Sequence, residues 1–237
     1  MRAESPWIYA RRVDGLEQAV CRGDGGASLA KHFHEQAQIA IVLAGVLRFF
    51  TPIGPIAAHA GETVVIGPLV PHKPLDLDAT GTSVTPYVPL ISKTAAASRL
   101  TVVATPRWLR TDQRIHQETI AGWVADRMVS TSSHALIRDA TDLAALVANS
   151  DLAIGALATK TGITREGFIR RFRNLVGMTP HAYRVATRLN AARALLAANV
   201  PPVETAVDTG FADQSHLGRT FKLLFGTTPN AYRLAMR

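Results

Sequence analysis

The chain has 237 residues, 47% of them hydrophobic, with 26 Lys and Arg against 18 Asp and Glu. This length suits one large or two ordinary domains, and the apolar content excludes a mainly disordered chain. The single cysteine, Cys21, excludes an intramolecular disulfide, and the longest apolar run, Ile39 to Leu47, falls far short of the ~20 residues of a spanning helix.

The opening MRAESPWIYARR lacks the apolar core and cleavage site of a signal peptide, so a cytoplasmic chain with no membrane partner is expected. Residues 1–91 read as short strands. Val and Ile cluster in Ile39–Leu43, Val46–Phe50 and Thr63–Ile66, with Gly and Pro between the runs. Strands and turns at this density predict a sandwich or barrel. Leu100 to Ala104 is a further strand candidate, after the Ala-rich KTAAASR. From Asp112 to Met128 the apolar residues recur at helical spacing, which predicts a helix that packs on the barrel or on a partner subunit. Ser130 to Ser133, polar and breaker-rich, reads as a linker start.

The remainder reads as helices. Val203, Ala206 and Val207 share helical spacing, as do Leu217 and Phe221, and Thr209-Gly210-Phe211-Ala212 lies between the two sets. Gly210 can adopt the positive φ that ends a first helix, and Asp213 is a good N-cap for a second. This is a helix-turn-helix pattern, whose second helix enters a DNA major groove. The same pattern occurs about 49 residues earlier, with Gly162, a Thr164 cap, and Phe168 and Phe172 on one face. Each copy is followed by a matching tail, LVGMTPHAYR and LFGTTPNAYR. Such self-similarity points to a duplicated unit. Between the copies, Pro180 to Asn199 forms one long helical pattern with Thr179 as its cap. Its stripe runs through Tyr183, Ala186, Leu189, Ala192 or Arg193, and Leu196, and Pro201-Pro202 ends it. Charge follows this division. Residues 142–237 hold 12 basic and 6 acidic residues, whereas residues 1–141 hold 14 and 12, so the excess sits where nucleic acid would be bound.

With these two copies and their tails, residues 142–237 resemble an AraC/XylS-family transcriptional regulator. The resemblance implies seven helices, binding to double-stranded promoter DNA, and regulation of transcription, commonly activation through RNA polymerase. The family's DNA contacts fall on Arg165, Glu166, Ile169, Arg170 and Arg173 of the first copy. In the second copy they fall on Gln214, Ser215, Gly218, Arg219 and Lys222. Arg and Gln pair bidentately with guanine and adenine edges, and Lys suits phosphate. Arg171 departs from the pattern, because the family more often buries an apolar residue there.

The N-terminal half resembles the two cupin motifs. His32-Phe-His34 is followed by Gln38, where the motif has Glu, and then by Gly45; the second motif ends at His72. His32 and His34, two apart, lie on one face of an extended segment. With His72 and Gln38 they would suit one divalent ion such as nickel, zinc, cobalt or iron. The other occupant of such a barrel is a small organic effector.

The expected fold is therefore α+β in two domains. Residues 1–110 form a cupin- or jelly-roll-like β-barrel that senses a ligand, 111–140 a coupling or dimerisation helix and linker, and 141–237 an all-α DNA-binding domain. The expected function is a ligand-controlled transcription regulator rather than an enzyme, with a homodimer among its expected partners. The alternative is a cupin metalloenzyme, dioxygenase- or isomerase-like, fused to a DNA-binding domain.

Overall fold

Among the described residues nine strands form where Val, Ile and other apolar residues cluster between turns: β1 (Trp7–Arg11), β2 (Glu17–Arg22), β3 (Ala37–Ala44), β4 (Val46–Thr51), β5 (Gly54–His59), β6 (Glu62–Ile66), β7 (Lys73–Leu77), β8 (Thr82–Val88) and β9 (Leu100–Ala104). The computed structural model describes residues 6–12, 14–23, 29–51, 54–77, 81–89, 100–111, 117–127 and 134–237. The strands pair antiparallel into a six-stranded sheet, in the order β1-β2-β8-β3-β6-β9, and a three-stranded sheet, β5-β4-β7.

Period-two alternation sorts side chains to the two faces of the larger sheet. On β3, Ala40 and Val42 join a core that includes Leu47, Phe49 and Ala58 of the smaller sheet. Ala37, Ile39 and Ile41 face the other way and pack with Val65 and Val88. Among the described residues no ladder joins the two sheets, so the expected closed barrel is an open pair of sheets. Hydropathy alternation sets which face is buried but carries no information about whether edge strands meet.

The outer face of the large sheet is covered by α1 (Arg107–Thr111) and α2 (Gln117–Arg127), which bury Leu109, Ile120, Trp123 and Val124 against it. Of the helix expected over 112–128, residues 112–116 and 128 lie outside the described residues, as do the linker start at 130–133 and the segment KTAAASR.

Seven helices follow: α3 (His134–Ala148), α4 (Ile154–Lys160), α5 (Arg165–Val176), α6 (Pro180–Ala197), α7 (Pro202–Asp208), α8 (Gln214–Phe225) and α9 (Pro229–Ala235). Their starts follow capping chemistry. The side chains of Thr164, Thr179, Asp213 and Thr228 accept from the backbone N–H groups of Gly167, Ala182, His216 and Ala231. Gly162 and Gly210 take φ of +72° and +73° in the two turns, as the duplicated pattern requires.

Two details differ from the pattern reading. The long helix α6 ends at Ala197 rather than Asn199, and its 18 residues span about 27 Å. In α7, Val203 and Val207 are exposed by 55% and 74%, while Thr205 and Ala206 are buried. Thr205 can turn inward because its hydroxyl donates back to the Pro201 carbonyl, 3.0 Å away.

The two parts share one apolar core. Phe33 stacks on Tyr183 of α6 with ring centroids 4.7 Å apart. The Tyr9 hydroxyl donates to the Phe225 carbonyl (3.0 Å), Arg11 to the Met236 and Ala197 carbonyls, and the Ala30 N–H to the Leu223 carbonyl. Trp7 lies so close to Gly226 (φ +72°) that a Cβ there would overlap its indole.

Candidate functional site

Two sites emerge, one on the helical surface and one at the seam between sheets and helices. On the surface, α5 buries Phe168 and Phe172, and α8 buries Leu217, Phe221, Leu224 and Phe225. Arg165, Glu166, Arg170 and Arg173 are left exposed on α5, with Ile169 half-buried. On α8, Gln214, Ser215, Arg219 and Lys222 are exposed and Gly218 is half-buried. Every DNA-contact candidate thus has a face open to solvent. Arg171 is also exposed and lies 3.8 Å from the Asp139 carboxylate of α3, which explains why an arginine is tolerated where an apolar residue was expected. Both side chains are more than half exposed, so that pair adds little stability.

The seam site is assembled around a two-way backbone bridge between His32 and His72, with N–H to carbonyl distances of 2.9 and 2.8 Å. The bridge brings together the rings of His32, His34 and His72. Centroid separations are 4.9 Å (His32–His34), 4.6 Å (His32–His72) and 5.7 Å (His34–His72). One ring nitrogen from each lies within 4.8 Å of the others, and all three residues are buried. The expected clustering of these histidines is therefore present. Gln38, on the inner face of β3, reaches the Tyr87 hydroxyl at 3.5 Å, and the Tyr87 ring lies 4.9 Å from that of His34.

The hydrogen bonds fix the tautomers. Nδ1 of His32 lies 2.7 Å from the Ala30 carbonyl and Nδ1 of His72 lies 2.9 Å from the Val70 carbonyl. A carbonyl only accepts, so both Nδ1 atoms donate and both Nε2 atoms carry lone pairs in the neutral rings. Burial pushes all three imidazoles below their ordinary pKa, His72 to about 4, so the cluster is neutral at physiological pH.

His34 differs. Its Nδ1 lies 2.6 Å from Nη1 of Arg193, and a guanidinium only donates, so this Nδ1 accepts and Nε2 carries the proton. Arg193 comes from α6 and is itself buried. Its Nε donates to both Glu17 carboxylate oxygens at 3.0 Å and its Nη2 to Oε2 at 2.6 Å, and the guanidinium lies 4.2 Å from the Tyr87 ring centre. Burial opposes the cation most, but Glu17, Tyr232 and Tyr87 together outweigh it and hold Arg193 charged. Burial also pushes the Tyr87 hydroxyl up to about 12, so it stays a donor.

Sequence reasoning did not find Arg193, Glu17 or Asn190. Asn190 Nδ2 donates to the Phe33 carbonyl at 3.0 Å. Their signal was positional. Residues 190 and 193 fall on the apolar stripe of α6, where polar side chains require a buried partner.

Comparison with known proteins finds a family match within the helical part and a fold match over the whole chain. Residues 157–235 match the family described as a helix-turn-helix domain. An uncharacterised helix-turn-helix-type transcriptional regulator, YbfI of Bacillus subtilis, is 37% identical over 67 residues, which are 28% of this chain and 24% of that protein. The chain therefore spans about a quarter of that relative's length. Over the whole chain, ToxT of Vibrio cholerae O395 has a similar fold. The TM-score is 0.57 at 10% identity, covering 98% of this chain and 97% of ToxT. A second ToxT structure, bound to (E)-4-(8-methylnaphthalen-1-yl)but-3-enoic acid, gives 0.62 at 9% identity, covering 99% and 100%. The chain thus carries an AraC-type helix-turn-helix domain, is homologous through it to AraC-family regulators, and has the two-part fold of ToxT.

Proposed function

We propose that the chain is a DNA-binding transcription regulator whose helical part reads promoter DNA under control of a small ligand held by the N-terminal sheets. The observation that carries this reading is the pair of capped helices α5 and α8. Both follow a positive-φ glycine turn, and their arginines are open to solvent. In this reading Arg170 and Arg219 read guanine edges, while Arg165, Arg173 and Lys222 neutralise phosphates. Glu166, Ile169, Gln214, Ser215 and Gly218 line the same faces. In this reading residues 1–110 sense, 111–140 link and 141–237 bind DNA. RNA polymerase and a second copy of the chain are the partners, and activation in the cytoplasm is the outcome.

ToxT, whose fold the chain shares, has been crystallised with an unsaturated fatty acid bound. A small-ligand site in the sheets of this chain fits that precedent, and the buried cluster of His32, His34, Gln38 and His72 suits the other expected occupant, a divalent ion. Among the described residues no helix is long and apolar enough to cross a membrane.

The test is a duplex selected by the protein from a random pool. Affinity should fall steeply with salt, because each neutralised phosphate releases counterions. Arg219→Ala should weaken binding by about 1–3 kcal/mol, concentrated at one base pair. A flat salt response together with unchanged base preference would remove the DNA-binding reading.

A further inference from the structure

We infer that a divalent transition-metal ion binds the His32–His34–His72 cluster only by displacing Arg193 from His34, so that ion binding loosens α6 from the sheets. The chemistry of the cluster selects a Lewis acid. In neutral His32 and His72 the lone pairs sit on Nε2, because both Nδ1–H groups are held by backbone carbonyls. That arrangement, a ring N–H on a carbonyl and the opposite nitrogen free, is how metal-ligating histidines are oriented. His72 Nε2, His34 Nε2 and Gln38 Oε1 are buried with no hydrogen-bond partner. An organic acid would need donors here. The Arg193 nitrogens are engaged by Glu17, Tyr232 and His34, which leaves an acid only neutral donors such as His34 Nε2–H and the Tyr87 hydroxyl.

His34 is the ligand that is not ready. With Nδ1 accepting from Arg193, its proton is on Nε2, the atom that would face the ion. Coordination through Nε2 moves that proton to Nδ1, and Nδ1–H then opposes the Arg193 N–H, donor against donor. The contact must break. Distance argues the same way. Ring nitrogens around a tetrahedral ion with bonds of about 2.0–2.1 Å stand roughly 3.3 Å apart, whereas here they range up to 4.8 Å. The rings must draw together, and His34 is the one tied to α6.

Because α6 joins the two helix-turn-helix units, the ion frees both from the docked arrangement and raises DNA affinity. By reciprocity, DNA raises ion affinity by the same factor. This last consequence rests on the DNA-binding reading; the ion step does not.

The experiment uses the full chain, stripped with EDTA and titrated with Zn(II), with Co(II) as an absorbance probe. About one ion per chain is expected, with affinity falling at least 100-fold in His72→Gln. The double variant Glu17→Gln/Arg193→Met, which removes both buried charges, should bind the ion at least tenfold tighter than wild type, having no contact to break. Amides of α6 should exchange faster on Zn(II) addition in wild type and be indifferent to it in the double variant. Protein that takes up no ion overturns the site. Ion affinity unchanged in the folded double variant overturns the competition with Arg193. For a selected duplex, Zn(II) should tighten binding at least fivefold, and weaker binding overturns the direction. Protein that binds no duplex under any condition would overturn the DNA-binding reading, leaving the ion affinities to decide the rest.

Discussion

Replacing Arg193 with Met isolates the buried ion pair that holds the helices to the sheets. Met keeps most of the aliphatic stem, so packing changes little, but three hydrogen bonds to Glu17 and one to His34 are lost. The cost comes chiefly from the carboxylate left behind. Breaking a buried pair by removing one partner costs about 3–5 kcal/mol. Glu17 keeps 14% of its side chain exposed, against 4% for Arg193, so water relieves part of the penalty and the expected loss is about 3 kcal/mol. For a chain of this size that lowers Tm by about 6–12 °C. Calorimetry without added metal measures it. Adding Glu17→Gln should restore stability to within about 1 kcal/mol of wild type, since the neutral amide can still face the Tyr232 hydroxyl. A single-variant loss below 1 kcal/mol, or a double variant no better than the single, would refute the assignment of this pair as the tie between the two parts.

Acid should destabilise the chain through the histidine cluster. Unfolded histidines take up protons below about pH 6.5, whereas His72 in the fold resists until about pH 4 and His32 and His34 are likewise lowered. The unfolded state therefore binds more protons in this window. Stability is fully present above about pH 6.5 and lost as pH falls toward 4, at up to about 1.4 kcal/mol per unit per histidine. Urea midpoints measured with EDTA present should show it, with a shallower slope in His72→Gln; a flat profile from pH 7 to 4.5 would contradict it. On the DNA-reading face, Asp213→Ala removes the acceptor 2.7 Å from the His216 N–H. It should cost about 1 kcal/mol in equilibrium unfolding, and an unaltered midpoint would mean that the cap contributes nothing.

The helical part was largely legible because its signals are local. A cap acts within three residues, and a glycine turn is decided by its own φ, so Thr164, Asp213, Gly162 and Gly210 could be placed from spacing alone. The grouping of His32 and His34 was legible for the same reason, and the cupin-like spacing placed His72 with them. The open sheets were not legible, because strand periodicity says nothing about which edges meet. The exposure of Val203 and Val207 was not legible, because helical spacing marks a face without saying whether anything covers it. Arg193 was ambiguous with Ala192 on the stripe, and its partner Glu17 is 176 residues away, where no local pattern connects them.

That ambiguity at residue 193 bears on how a signal would travel in the proposed reading. The helix expected to couple sensor to reader, α2, buries Ile120, Trp123 and Val124 on the outer face of the large sheet, away from the histidines. Among the described helices, those that touch the cluster are α6, through Arg193, and α8, whose Phe225 ring lies 6.1 and 5.8 Å from those of His32 and His34. Helix α6 in turn packs on α3, α5, α7, α8 and α9. A change at the cluster therefore reaches the joint between the two reading helices in a single contact. Polar side chains on the inner stripe of a connecting helix are costly to bury, and here Arg193 and Asn190 spend that cost on fixing the sensor to the reader.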